Sequence, residues 1–473
     1  MAIPLHKLVS AAGQLYLDDC LARAAAAVQE WQARWPAIAP HPAQQIDPAS
    51  FERAWHEYAA RLQTNPPFFH PGYAAQMIRP PHPVAVLGYL AAMLINPNNY
   101  DHAGGPATAE MEHEAIAMIA AMLHLPHSAS GHLASGGTIA NLESLWVARE
   151  LGPRGAVAVS DQAHFAHFRN CALLGVECVK VAIDNAGRID IGRLEQTLRR
   201  QHIATVVATA GTTALGAVDP IDELVALREH YGFRLHVDAC YGGFFATLAW
   251  NGHTHVPSAP LKALAQCDSV VIDPHKRGLQ PLGCSALLWR EAPPLSLYGK
   301  TPGYAEFTPG EFNPGAAGLE CSRAGAAAGA LWLTLKCLPF DAEPGFAGIL
   351  SATLAAARRW AELIRESDDF MLYAEPDLDI VTFLPRGMRS VSELDRICRA
   401  LVAALRDATP PLYLGLLKVH ADRIVARCPG ITTDAPDCHI LRAVLMKPEH
   451  EAAVDAMHTR LVESWRTIGL TGR

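Results

Sequence analysis

The chain of 473 residues has no long apolar run, no closely paired cysteines, no block of like charge and no low-complexity tail. Each lack narrows what the protein can be. The longest apolar run, Val84 to Ile95, has twelve residues, whereas a helix needs about 20 to span a bilayer. A buried helix is the expectation there, and no membrane partner. Eleven cysteines are scattered without a C-x-x-C spacing, so neither a zinc site nor a thioredoxin-type motif is indicated and no metal is expected. The first helical stretch, Leu8 to Trp31, is interrupted by Asp18, Asp19 and Arg23. That is not the pattern of a secretory leader, so free thiols and a cytoplasmic location are expected. A formal charge of −8 lacks the basic excess of a nucleic-acid-binding face. What remains, half apolar and 18% charged, is the composition of a soluble globular protein. The length suits two or three packed units.

Three stretches can be told apart. Residues 1 to 100 look helical and rich in proline (Pro66, Pro67, Pro71, Pro80, Pro81, Pro83), an arm that wraps over something rather than a separate domain. Residues 101–337 alternate helix and strand. Thr108 is the expected N-cap of a helix with the stripe Met111, Ala115, Met118 and Met122. Short apolar strands follow at Ala156–Val159, Cys178–Ala182, Ile203–Thr209, Arg234–Val237, Ser269–Ile272 and Cys284–Leu288. Helices Ile139–Glu150 and Ile221–Tyr231 fall between them, which predicts an α/β fold with a mostly parallel sheet covered on both faces. Residues 338–473 form a smaller C-terminal α/β unit, with a capping box at Ser390-Val391-Ser392-Glu393, a strand His439–Met446 and a last helix from Glu449.

Four features carry chemistry, and each has a plainer reading. Ser135-Gly136-Gly137-Thr138 opens a helix and can cradle a phosphate, or be an ordinary turn. Asp238 ends an apolar strand, where it can hold a heterocyclic nitrogen protonated, or merely cap a turn. Lys276, after Asp273-Pro274-His275, can lose its proton in a desolvated site and attack a carbonyl; most strand-end lysines only reach solvent. His275 can donate to a phosphate or cap the strand. His164, after Ser160-Asp161-Gln162-Ala163, can stack on a planar ring, or lie at the surface. Together they supply what pyridoxal phosphate requires.

The pattern resembles the group II pyridoxal-dependent decarboxylases, which act on aromatic amino acids, diaminobutyrate and glutamate. The likeness runs through Asn96-Pro97-Asn98-Asn99, Gly105-Pro106-Ala107-Thr108-Ala109-Glu110-Met111-Glu112, Ser135-Gly136-Gly137-Thr138 and Ser160-Asp161-Gln162-Ala163-His164. It continues in Gly211-Thr212-Thr213, His236-Val237-Asp238-Ala239, His275-Lys276, Gly278-Leu279-Gln280-Pro281-Leu282-Gly283-Cys284 and Cys321-Ser322-Arg323. The resemblance implies the aspartate aminotransferase-like fold, with a large cofactor-binding domain. It also implies a homodimer with a shared active site, the N-terminal arm wrapping around the partner subunit. Lys276 is implied as the lysine that carries pyridoxal 5'-phosphate as a Schiff base, Asp238 as partner of the ring nitrogen and His164 as the stacking ring. Ser135, Gly136, Gly137, Thr138 and His275 are implied around the phosphate, Thr213 near the ring substituents, and Ser322 reaching a phosphate from the neighbouring subunit. Cys240 stands where the family usually has a second alanine after Asp238; sphingosine phosphate lyases, a related branch, are similar to this chain at that position, which keeps an aldehyde-lyase in view. An aminotransferase is a further rival, with Arg442 to grip the carboxylate, and a cofactor-binding relic without catalysis is a third. Family members carry a catalytic tyrosine on a mobile loop; in residues 293–318 Tyr304 is the candidate and Tyr298 the reserve. For the substrate, an L-amino acid, Asp101 and His82 are candidates, and Phe68, Phe69, His70 and Tyr73 tilt the expectation toward an aromatic side chain.

Overall fold

A computed structural model describes residues 7–10, 13–299 and 313–471. The chain starts with a hairpin, β1 (Lys7–Ser10) and β2 (Gly13–Tyr16), before helix α1 (Leu17–Gln32). The helix expected from Leu8 therefore begins nine residues later. Next come α2 (Pro48–Leu62), β3 (Tyr73–Ala74) and α3 (Pro83–Ile95). Helix α3 takes up the apolar run but is not buried all round. Only Ala85 and Gly88 are fully covered, and Met93, Leu94 and Ile95 stay exposed. One face of α3 packs against a later helix so closely that a side-chain carbon at Gly88 would stand 2.9 Å from Ala330 Cα.

The alternating region follows as α4 (Pro106–Met122), β4 (Ser130–Ala134), α5 (Gly137–Leu151), β5 (Ala156–Ser160), α6 (Ala166–Leu174), β6 (Cys178–Val181) and α7 (Ile191–Arg200). It continues with β7 (Ile203–Thr209), α8 (Ile221–Tyr231), β8 (Arg234–Asp238), the short α9 (Ala246–Trp250) and α10 (Ser258–Lys262), β9 (Ser269–Ile272) and β10 (Ser285–Trp289). The strands form one sheet in the order β4-β10-β9-β8-β7-β5-β6. The run from β9 to β6 is parallel, and β10 lies antiparallel to both β9 and β4. Every residue of β7 is buried, as a central strand covered on both faces must be. Local signals match the elements: α8 has Asp222 and Glu223 in its first turn, Arg228 and His230 in its last, and Gly232 in the left-handed region just beyond (φ 75°). Thr108 is not an N-cap. Pro106 fits the first helical turn and moves the cap to Gly105. Thr108 Oγ1 instead donates to buried Asn99 Oδ1 at 2.6 Å.

The last part comprises α11 (Gly325–Cys337), α12 (Phe346–Glu366), β11 (Phe370–Ala374), β12 (Ile380–Pro385), α13 (Val391–Asp407), β13 (Tyr413–His420), α14 (Ala421–Val425), β14 (Asp437–Val444) and α15 (His450–Thr471). Its sheet runs β11-β12-β14-β13-β3. β3 thus lends the N-terminal stretch to the C-terminal sheet, in parallel register with Tyr413 and Leu414. Trp360, Phe370, Phe383 and Leu441 fill the core beneath that sheet. Ser390 accepts from Glu393 N at 3.2 Å, as a capping box requires, but the Glu393 carboxylate returns to Arg389 N rather than to the cap. All eleven cysteines are free thiols. Among the described residues no helix is long and apolar enough to cross a membrane.

Candidate active site

In a parallel sheet the carboxyl ends of the strands share one edge, and loops leaving them converge there. β5 delivers His164, β7 delivers Thr209, Gly211 and Thr213, β8 delivers Asp238, Cys240 and Tyr241, and β9 delivers Asp273, His275 and Lys276. The start of α5, with Ser135, Gly136, Gly137, Thr138 and Asn141, closes the other side, and Leu282 and Gly283 complete the wall of a cavity of about 490 Å³.

The α5 end of the cavity suits an anion. The N-cap is Gly136, and no side chain caps the helix, so unpaired backbone N–H groups and the positive end of the helix dipole face the space. Around a side-chain carbon built on Gly136 nothing lies within 4 Å. One built on Gly137 would stand 2.6 Å from Cys240 Sγ and 3.0 and 3.1 Å from the Asp273 oxygens, so the second glycine is demanded by close approach.

Asp238 lines the cavity and is 5% exposed. Its Oδ2 is 2.9 Å from His167 Nε2, and its Oδ1 accepts from Cys240 N at 3.2 Å. Burial alone would raise its pKa, but the His167 hydrogen bond and charge, together with Lys276, hold the carboxyl well below the usual range. Such an acid stays ionised and can keep a ring nitrogen protonated. Burial lowers the His164 imidazole, which favours the uncharged ring that stacks well. Burial also keeps Cys240 a thiol, raised well above its ordinary value. Lys276 behaves differently from the expectation of an easily deprotonated lysine. Burial does work to lower it, but the charges of Asp273 and Asp238 outweigh that, and the ammonium is raised instead. Its Nζ is 2.9 Å from Asp273 Oδ2. The donor set therefore fits a phosphorylated pyridine aldehyde: an uncapped helix start, an ionised acid, an aromatic imidazole and an amine. The side-chain hydroxyl of Thr209, buried on the cavity wall with no hydrogen-bond partner, is a further group waiting for a ligand.

Residues 40–386 match the model of the pyridoxal-dependent decarboxylase conserved domain. This chain belongs to the pyridoxal-dependent decarboxylase family. It is a carboxy-lyase that uses pyridoxal phosphate. Among curated relatives, the probable L-aspartate decarboxylase of Pyrococcus abyssi is 32% identical over 67% of this chain and 80% of its own length. The L-aspartate/L-glutamate decarboxylase of Pyrococcus horikoshii is 31% identical over 66% of this chain and 79% of its own. Among solved structures, mouse CSAD superposes with a TM-score of 0.75 at 22% identity, covering 93% of this chain and 92% of that one. Oryza sativa TDC, solved with PLP and tryptamine, gives 0.74 at 19%, covering 98% and 99%. These likenesses carry the fold, that of the PLP fold type I decarboxylases. They do not favour the aldehyde-lyase that Cys240 brought into view.

The decarboxylase cavity gathers Ser135, Gly136, Gly137, Thr138, His164, Thr213, Asp238, Cys240, His275 and Lys276. Other candidates lie elsewhere in this chain. Asp101 accepts from Gly104 N at 2.7 Å and shapes a turn. His82 caps α3 through Val84 N at 3.3 Å; burial, helped by Arg79, pushes it down to about 4. Ser322 accepts from Asn98 Nδ2 at 3.1 Å, away from the cavity lining. Tyr304 lies outside the described residues. Tyr298, the reserve, donates to Glu143 Oε1 at 2.9 Å, and burial with that carboxylate raises its hydroxyl. Two residues were missed in the sequence. His167 sits one helical turn beyond His164, a spacing that puts two imidazoles on one side of the entry to α6. Asp273 was quoted within its motif without a part to play.

Gly137→Ala tests the cradle. A methyl group there collides with Cys240 and Asp273, so the dissociation constant for pyridoxal phosphate should rise at least ~10-fold, about 1.4 kcal/mol. Titration of the cofactor-free variant, followed by absorbance, reads it. Unchanged affinity would mean that the phosphate is held elsewhere.

Proposed function

We propose that this decarboxylase acts on an acidic L-amino acid, with L-aspartate the first candidate, and releases the corresponding amine and CO2. The observation that carries this reading is Arg442 on β14, which is not among the residues lining the cavity but lies beside Tyr241, which is. Its guanidinium is largely buried and has no carboxylate partner among the described residues, and its Nε lacks a hydrogen bond. Burial pulls its pKa down, while nearby Tyr241, on the cavity wall, opposes the shift. A buried guanidinium left unpaired is costly, and its planar fork matches a carboxylate. The aromatic residues that tilted the expectation toward an aromatic side chain do not themselves reach the cavity. Phe68 packs edge-on against Tyr73 at 5.0 Å, Tyr73 lies against Tyr413 at 5.7 Å, and none of these lines the cavity. Relatives are named for aspartate, for aspartate and glutamate, and for tyrosine and aspartate, and aspartate is common to all three.

Bound pyridoxal phosphate supplies the electron sink for the pair left on Cα when CO2 departs. In this reading the chain does the rest. Gly136, Gly137, Thr138 and His275 hold the phosphate. Asp238, fixed by His167, would keep the ring nitrogen protonated, and His164 would stack on the ring, with Thr213 a further contact. Lys276 would hold the cofactor. Arg442 grips a substrate carboxylate, and Tyr304 is the proposed donor of the proton that Cα receives. We further propose a cytoplasmic homodimer in which the second copy's Ser322 reaches the phosphate. α2 supports the dimer: none of its residues is buried, and Phe51, Trp55, Tyr58 and Leu62 form an exposed stripe along one face.

A CO2-release screen over L-amino acids should single out aspartate, with glutamate behind it and aromatic substrates weaker. Arg442→Ala should raise KM for that substrate at least ~10-fold, the loss of about 1.4 kcal/mol of binding. An aromatic preference, or an unchanged KM in the variant, would contradict the reading. Sedimentation equilibrium should report a dimer; a monomer at enzymatic working concentrations would contradict the shared site.

A further inference from the structure

Asp273 has no part in holding phosphate, ring or substrate, yet it is among the most constrained side chains of the cavity. It follows directly on β9 and is 2% exposed. Oδ1 accepts from Ser285 Oγ at 2.5 Å. Oδ2 stands 2.9 Å from Lys276 Nζ and 3.5 Å from His275 Nε2. Its backbone carbonyl also accepts from Lys276 N at 2.9 Å, so one residue fixes both ends of the lysine. A buried carboxylate with a single neutral donor needs a cation close by, and Lys276 is the one in contact.

We propose that Asp273 is the counter-ion and the proton acceptor of Lys276: it holds the free lysine as an ammonium and takes one of its protons when the lysine bonds to an aldehyde carbon. In that step the Nζ–H bond breaks and an Oδ2–H bond forms. The electron pair left on Nζ makes the new bond to carbon, the carbonyl pair moves to oxygen, and that oxygen leaves as water with the two hydrogens remaining on Nζ; a displacing substrate amine later returns two hydrogens to Nζ. When a substrate amine displaces the lysine, the proton returns from Oδ2 to Nζ. At 2.9 Å the transfer needs no intervening water. The other groups that face the pair are committed. Asp238 is held by His167, Cys240 and Cys284 are thiols raised by burial, and His164 accepts from Ala166 N at 3.3 Å. His275 Nδ1 is bound to Cys284 O at 2.7 Å.

The inference rests on Lys276 as the cofactor-carrying lysine, and the test separates the two. The full-length chain, stripped of cofactor, is pulsed with an amine-acylating reagent across a pH series, and acylation at Lys276 is read by mass spectrometry. In the wild-type chain the labelling midpoint should lie above the ordinary lysine value of ~10.4. In Asp273→Asn it should fall by at least one unit, which is ~10-fold more labelling at pH 8. Asp273→Glu, which keeps the charge, should restore a high midpoint; a merely structural role would not move it. A wild-type midpoint at or below the ordinary value would overturn the proposal even if the Asn variant failed to fold, and so would an unmoved midpoint in that variant. Failure of Lys276 to carry the cofactor would show instead as a missing lysine-linked absorbance in the reloaded wild-type protein, whatever the midpoints.

Discussion

The site depends on one buried contact, the 2.9 Å pair between Asp238 and His167. An ionised carboxylate at 5% exposure is tolerable only with a partner. His167, fully buried on α6, supplies it and turns the acid's free edge toward the cavity. The sheet makes the pair possible. β8 carries Asp238 at its carboxyl end, and the neighbouring crossover from β5 brings His164 and then His167 over the same edge. The two cavity carboxylates then divide the work. Asp238 is committed to a histidine and a backbone N–H, while Asp273 answers to Lys276 and Ser285.

The alternation of short apolar strands with helices made the large sheet legible. Ile203–Thr209 and Ile221–Tyr231 were read with the boundaries they have, because strand length, capping acids and a terminal glycine all agree there. The cavity was legible for a related reason: its side chains sit at strand ends, where the sequence shows an apolar run stopping at a polar residue. What failed needed information from far along the chain. β4 pairs only with β10, more than 150 positions later, and lies at an edge with a weak apolar pattern. The C-terminal sheet borrows β3 from the N-terminal stretch, a partnership no local window reveals.

The charge of Lys276 was misjudged for a similar reason. Burial can be read from an apolar run, and burial alone would lower a lysine. The sign is set by Asp273 and Asp238, one of them from a neighbouring strand, and their distances are tertiary facts. The residues behind the aromatic lean show the same dependence on tertiary contacts. Phe68 and Tyr73 lie near the cavity-forming segments in sequence but pack upon one another and on β13.

Asp238 serves chemistry and not the fold. Removing the acid takes away one neutralisable partner of a histidine, whereas removing the histidine would strand a buried carboxylate. The direct measurement is CO2 release by Asp238→Ala alongside its thermal unfolding. The rate should fall at least ~1000-fold, about 4 kcal/mol in the barrier, with the unfolding temperature lowered by only a few degrees. A variant that keeps wild-type turnover, or one that unfolds without a separate loss of rate, would contradict it.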